Sequence, residues 1–192
     1  MRKLALLLLI IVLFAPGVAR ANVPIGLSTV TDADDASDDM PIDIKFAQNH
    51  VFGGDHADRE TKFAIESYEP FYAWDFGKLW EGDFYSLEFL VNNTRKHRGS
   101  DMSFTVYDDG DLGLRYRVTD YHRGTLPFNG DVPRPSDTTL AIFLPNDLIP
   151  VKDPDNPQYK WRVRSVRLDP TRFTVIDVDR APNTGWVRQD GF

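Results

Sequence analysis

The stretch FTVYDDGDLGLRYRV, residues 104–118, sets two runs of alternating apolar and polar side chains on either side of Asp109-Gly110. Alternation at period two puts every second residue on the same face of an extended chain, the pattern of a half-buried strand. Asp-Gly between two such runs marks a hairpin, because a type I′ or related turn needs positive φ, which these residues tolerate. The rival reading is a calcium cradle built from Asp108, Asp109 and Asp111. It fails on spacing, since no bidentate Glu closes the loop as in a helix-flanked calcium site. These carboxylates are chiefly turn chemistry.

The same rhythm extends outward in both directions. Ile42, Ile44 and Phe46 share a parity, as do Phe63 and Ile65, then Tyr85, Leu87, Phe89 and Val91, then Met102, Phe104 and Val106. Leu112, Leu114, Tyr116 and Val118 continue the series, and Trp161 and Val163 alternate with Arg162 and Arg164. The phase slips around Ser165 to Val166 and Leu168, as a bulge requires, and Phe173 and Val175 open the returning strand. Thr138 to Leu144 is apolar on both parities, which fits a strand covered on both faces. No window carries a helical stripe. About eight to ten strands without intervening helices predict an all-β antiparallel sandwich, jelly-roll or immunoglobulin-like, with few or no helices.

Arg2 and Lys3 precede an apolar run from Leu4 to Phe14, and Ala19-Arg20-Ala21 has the small-x-small form of a signal-peptidase site. The expected organisation is a signal peptide at 1–21, an N-terminal strand and acidic linker at 22–40, and a single sandwich domain at 41–192. The expected location is periplasmic, cell-surface or extracellular. No later apolar run is long enough to span about 30 Å of hydrocarbon as a helix. The chain has 22 Lys and Arg against 29 Asp and Glu, a net charge of −7, and loss of Arg2, Lys3 and Arg20 takes it to about −10. Such a balance disfavours nucleic acid and anionic lipid as partners. Of the acids 24 are Asp and 5 are Glu, a bias toward turns over helices. With no cysteine in the sequence, stability has to come from packing.

Motifs for covalent chemistry are missing. The sequence contains no G-x-S-x-G, H-E-x-x-H, Walker or G-x-G-x-x-G pattern. Carboxylate pairs such as Glu66 with Asp75, or Glu81 with Glu88, leave a glycoside hydrolase as the third reading. His50 and His56 with Asp55 and Asp58 match no zinc spacing, and His97 lies in a polar loop. The run TDADDASDD gives the candidate calcium ligands, Asp32, Asp34, Asp35, Asp38 and Asp39, but it lacks the glycine and the closing Glu and reads first as a solvated linker. In YEPFYAWDFGKLW, residues 68–80, most rings are expected in the core, with Tyr72, Trp74 and Trp80 the candidates for stacking on a sugar. Arg115, Arg117, Arg162 and Arg164 should form basic outer faces on two strands, able to meet acidic glycans or to pair with the many aspartates.

The new N-terminus is the most suggestive feature. Val23, Ile25, Leu27 and Thr29 alternate with smaller or polar residues, and the acidic run tethers them to the sandwich. A short strand on a loose leash can add itself to a sheet edge, its own or a neighbour's. EGDFYSLEFLVNNT, residues 81–94, resembles the signature of TasA/camelysin-type secreted fibre proteins and of immunoglobulin-like bacterial surface modules. That resemblance implies a jelly-roll sandwich whose N-terminal segment completes the next subunit. The expected function is therefore binding or assembly without covalent chemistry, as a surface or fibre subunit with a donor strand. Its partner is a second copy or another surface protein, and a carbohydrate-binding module is the alternative. Calcium is the one cofactor considered.

Overall fold

A computed structural model describes residues 23–34, 42–53, 60–73, 76, 85–93, 100–145, 148–149, 158–169 and 174–189. Its strands are β1 (Val23–Thr31), β2 (Ile44–Gly53), β3 (Glu60–Ser67), β4 (Tyr85–Asn92), β5 (Met102–Asp108), β6 (Leu114–Asp120), β7 (Gly124–Asp131), β8 (Thr139–Pro145), β9 (Tyr159–Leu168), β10 (Val175–Ala181) and β11 (Val187–Gln189). They form two antiparallel sheets, one in the order β1-β2-β3-β8 and one in the order β10-β9-β4-β5-β6-β7, with β11 also paired to β9. The sheets face each other as the expected β-sandwich. No helix among the described residues is long and apolar enough to cross a membrane.

Alternation sets the inner faces. In β6, Leu114, Tyr116 and Val118 are buried while Arg115, Arg117 and Thr119 are not, and in β9 Tyr159, Trp161 and Val163 are buried between Lys160, Arg162 and Arg164. Phe63 of β3 is the hub of the core, with ring centroids 5.4 Å from Phe89, 6.0 Å from Phe104 and 5.8 Å from Trp161. One β3 side chain thereby joins three strands of the opposite sheet. Phe71 and Phe76 are buried and meet edge to face at 5.8 Å, so two of the clustered rings serve as core.

The 104–118 stretch is a hairpin, with a looser turn than a two-residue I′ loop. Strand β5 ends at Asp108, Gly110–Leu112 form a single 3-10 turn, and β6 starts at Leu114. The Asp108 carboxylate accepts the Gly110 N–H at 2.9 Å, and Gly110 and Gly113 take φ of 64° and 75°, a region that favours glycine. Leu112 therefore leaves the strand series and sits exposed.

Strand β9 departs from expectation too. Its register with β4 runs unbroken through Ser165 and Val166. The bulge lies on β10, between Val175 and Asp177. Val166 faces outward opposite Val178, so an apolar pair on the outer face, and no slip of the chain, breaks the alternation.

Candidate functional site: the β1 edge and the polar seam beneath it

Strand β1 lies at the edge of its own sheet, paired antiparallel with β2 from Val23↔Gly53 to Thr31↔Phe46, with a bulge between Pro24 and Gly26. Past that bulge, Gly26 is buried and Ser28 and Val30 are half-buried, while Leu27 and Thr29 face solvent, Leu27 at 45% exposure. The inward set is thus small and partly polar, of opposite phase to the apolar face read from the sequence. The side chains of Val23 and Ile25 lie outside the described residues.

What makes an inward serine stable is the polar seam below it. Trp161 Nε1–H donates to Ser28 Oγ at 2.7 Å, and that hydroxyl donates on to Gln189 Oε1 at 2.5 Å. One hydroxyl of β1 thus satisfies an indole on β9 and an amide on β11, both fully buried. Beside it, the Tyr159 hydroxyl donates to Asn49 Oδ1 at 2.8 Å, while the buried Asn49 Nδ2 has no hydrogen-bond partner. Burial raises the Tyr159 pKa well above the usual phenol range against the lesser pull of its bonds to Asn49 and Thr61. A buried polar group without its partner costs about 1–3 kcal/mol. Ser28 is therefore what allows the Trp161 indole N–H to sit in the core, and it supplies a donor to the Gln189 amide.

Beyond β1 the chain continues into the acidic segment. Asp32 N–H donates to Lys45 O at 2.9 Å, and the Tyr68 hydroxyl donates to Asp32 O at 2.9 Å, so both contacts are to its backbone. Asp34 is exposed, and Asp35, Asp38 and Asp39 lie outside the described residues. Among the described residues no group of three His, Asp or Glu side chains converges as metal ligands. His50 lies opposite Leu27 and Lys62 on the outer face of the β1 sheet, where burial and then the Lys62 charge lower its pKa below the usual 6.5. Its suggested companions His56, Asp55 and Asp58 fall outside the description, as does His97.

The carboxylate pairs cannot be completed either, because Asp75 and Glu81 are not described. Glu66 instead accepts from Lys45 Nζ at 2.6 Å, and Glu88 accepts from Arg164 Nε at 2.6 Å. Of the stacking candidates Tyr72 is 45% exposed, and Trp74 and Trp80 lie outside the described residues. The importance of Ser28, Gln189 and Asn49 was not expected. Only the parity of Trp161 hinted at a buried indole N–H that would need an acceptor.

Comparison with family models, curated proteins and solved structures finds no match. The chain's own geometry defines its class, an antiparallel β-sandwich with a hydrogen-bonded N-terminal edge strand.

Proposed function

We propose that the chain is an exported, non-catalytic assembly module in which β1 of one copy takes the place of β1 in the next. The observation that supports this reading is the way β1 is held. Its attachment rests on ladder bonds to β2 and on the Ser28 bridge between Trp161 and Gln189, contacts that another chain's β1 can remake unchanged. Among its described residues the inward set is Gly26, Ser28 and Val30, which holds less apolar surface than the inward set Leu87, Phe89 and Val91 of the core strand β4. From Asp34 to Ile42 an extended chain reaches roughly 27 Å, enough for the strand to leave without unfolding β2.

In the isolated chain β1 pairs with its own β2, and a short tether gives such pairing an effective concentration of order mM. Exchange therefore belongs to high local concentration, as at a surface, and a head-to-tail exchange that does not close grows as a filament. Light scattering on the chain starting at Asn22 should show oligomers growing with concentration. The chain starting at Thr31 should show none, and should recover a one-to-one complex with a peptide of residues 22–34. Equal assembly by both chains would rule the reading out.

A further inference from the structure

The outer face of the sheet that carries β9 gathers arginines although the chain as a whole is acidic. Arg180 of β10 lies directly opposite Arg164 of β9, Arg164 opposite Glu88 of β4, and Thr105 of β5 opposite Arg117 of β6. Arg162 lies two residues from Arg164 on the same face and stacks on the Trp186 ring at 4.5 Å. Like charges directly opposite in a ladder are destabilising, so an Arg–Arg pair costs the fold something. Glu88 engages Arg164 through both Nε and Nη2 at 2.6 Å, and among the described residues no carboxylate pairs with Arg162, Arg180 or Arg117. The Nε–H groups of Arg162 and Arg117 are buried with no acceptor. Burial, then the charges of Arg164 and Arg180, lowers the Arg162 pKa.

The second cationic position is Arg117, three strands from β9, or about 14 Å at the usual spacing. Between the two on the same face lies Thr105, half-buried and opposite both Glu88 and Arg117, whereas the next row along the strands, Leu90 and Ser103, is buried. We propose that this face binds a linear polysaccharide bearing carboxylate or sulfate groups, laid across the strands with its charges on Arg162, Arg180 and Arg117 and a hydroxyl over Thr105. Guanidinium groups hold planar or tetrahedral oxyanions through paired N–H donors, and the indole of Trp186 adds a flat ring at one end. Spaced charges with a hydroxyl between them match such a polymer better than a duplex, whose closely spaced phosphates the chain's net charge of −7 repels. This site is on the other sheet from β1, so it stands whether or not β1 exchanges.

The test is calorimetric titration of the chain starting at Asn22 with polygalacturonate, dextran sulfate, neutral dextran and poly-aspartate. Binding to polygalacturonate or dextran sulfate is expected, weakening with added salt and absent for neutral dextran. Arg162→Ser with Arg180→Ser should lower affinity at least tenfold, and Arg117→Ser, on a different strand, should lower it severalfold. Melting temperature separates this from a structural role: Arg180→Ser should melt at or above the parent, because it removes a like-charge pair. Four results overturn the proposal: no binding to either anionic polysaccharide, affinity unchanged in the double variant, tighter binding to poly-aspartate, or a fall in melting temperature that parallels the loss of binding.

Discussion

At the scale of single residues, the sandwich depends on a few fitted positions that sequence patterns do not reveal. Gly130 is one, since a Cβ there would meet the Tyr116 ring at 2.5 Å. Tyr116 needs that place, because its hydroxyl donates to Phe143 O at 2.7 Å and ties the second sheet to β8. Gly130→Ala is expected to destabilise by about 1–3 kcal/mol through overpacking, measured by denaturant unfolding. Ser28→Ala should cost a similar amount, about 1–3 kcal/mol, by leaving Trp161 Nε1–H and Gln189 without the bridging hydroxyl. Neither effect could be read from the sequence, for each depends on a partner brought in from a distant strand. The inward phase of Ser28 is hidden for the same reason, as serine belongs inside only where the interior offers it an indole and an amide.

Titration adds two residue-scale expectations. Burial raises the pKa of both Tyr116 and Tyr159, so the native state keeps protons that the unfolded phenols release near pH 10. Stability should hold up to about pH 10 and fall as pH rises beyond it, with a shallower fall in Tyr159→Phe. His50 acts at the other end of the scale. Its folded pKa is below the usual 6.5, so as pH falls through that value the unfolded chain takes up the proton first and stability declines. His50→Gln should flatten this limb, read by melting temperature between about pH 7 and pH 5.

At the scale of elements, long alternating strands were legible and short or polar ones were not. The inner faces of β4, β5 and β6 follow the residue parity, because a one-residue slip would turn the whole apolar set to solvent. Strand β7 escaped notice: GTLPFNGD contains two glycines and a proline, and exposed and half-buried residues simply alternate along it. As the outermost strand it tolerates Pro127, which has no N–H to give the ladder. Strand β11 is three residues long, too short for any rhythm. Of the candidate site, the location of β1 and the outward arginines could be read directly. The polar seam could not, since it joins β1, β2, β9 and β11 across most of the chain.

At the scale of the whole molecule, the two sheets are held by the aromatic core around Phe63 and by polar pins at their margins. Ile44 N–H donates to Asp179 Oδ2 at 2.7 Å near one end, and Tyr116 reaches β8 on the opposite margin. Phe63→Ala should therefore cost about 3–5 kcal/mol, since it removes a ring that three facing strands share. The sandwich class followed from the rhythm of the sequence, but the seating of β9 beside β4 did not. Such pairing is non-local, and no local signal specifies which edge a returning strand will find.

In the proposed exchange β1 leaves its own sheet to complete another, so a covalent lock between β1 and β2 should prevent it. Thr29 and Gln48 are cross-strand partners on the outer face, and the sequence has no cysteine to interfere. The decisive measurement is light scattering on the Thr29→Cys/Gln48→Cys chain, oxidised and then reduced, at concentrations where the parent assembles. Exchange requires the oxidised chain to remain monomeric and the reduced chain to form oligomers like the parent. Oligomers of equal size in both states would contradict it.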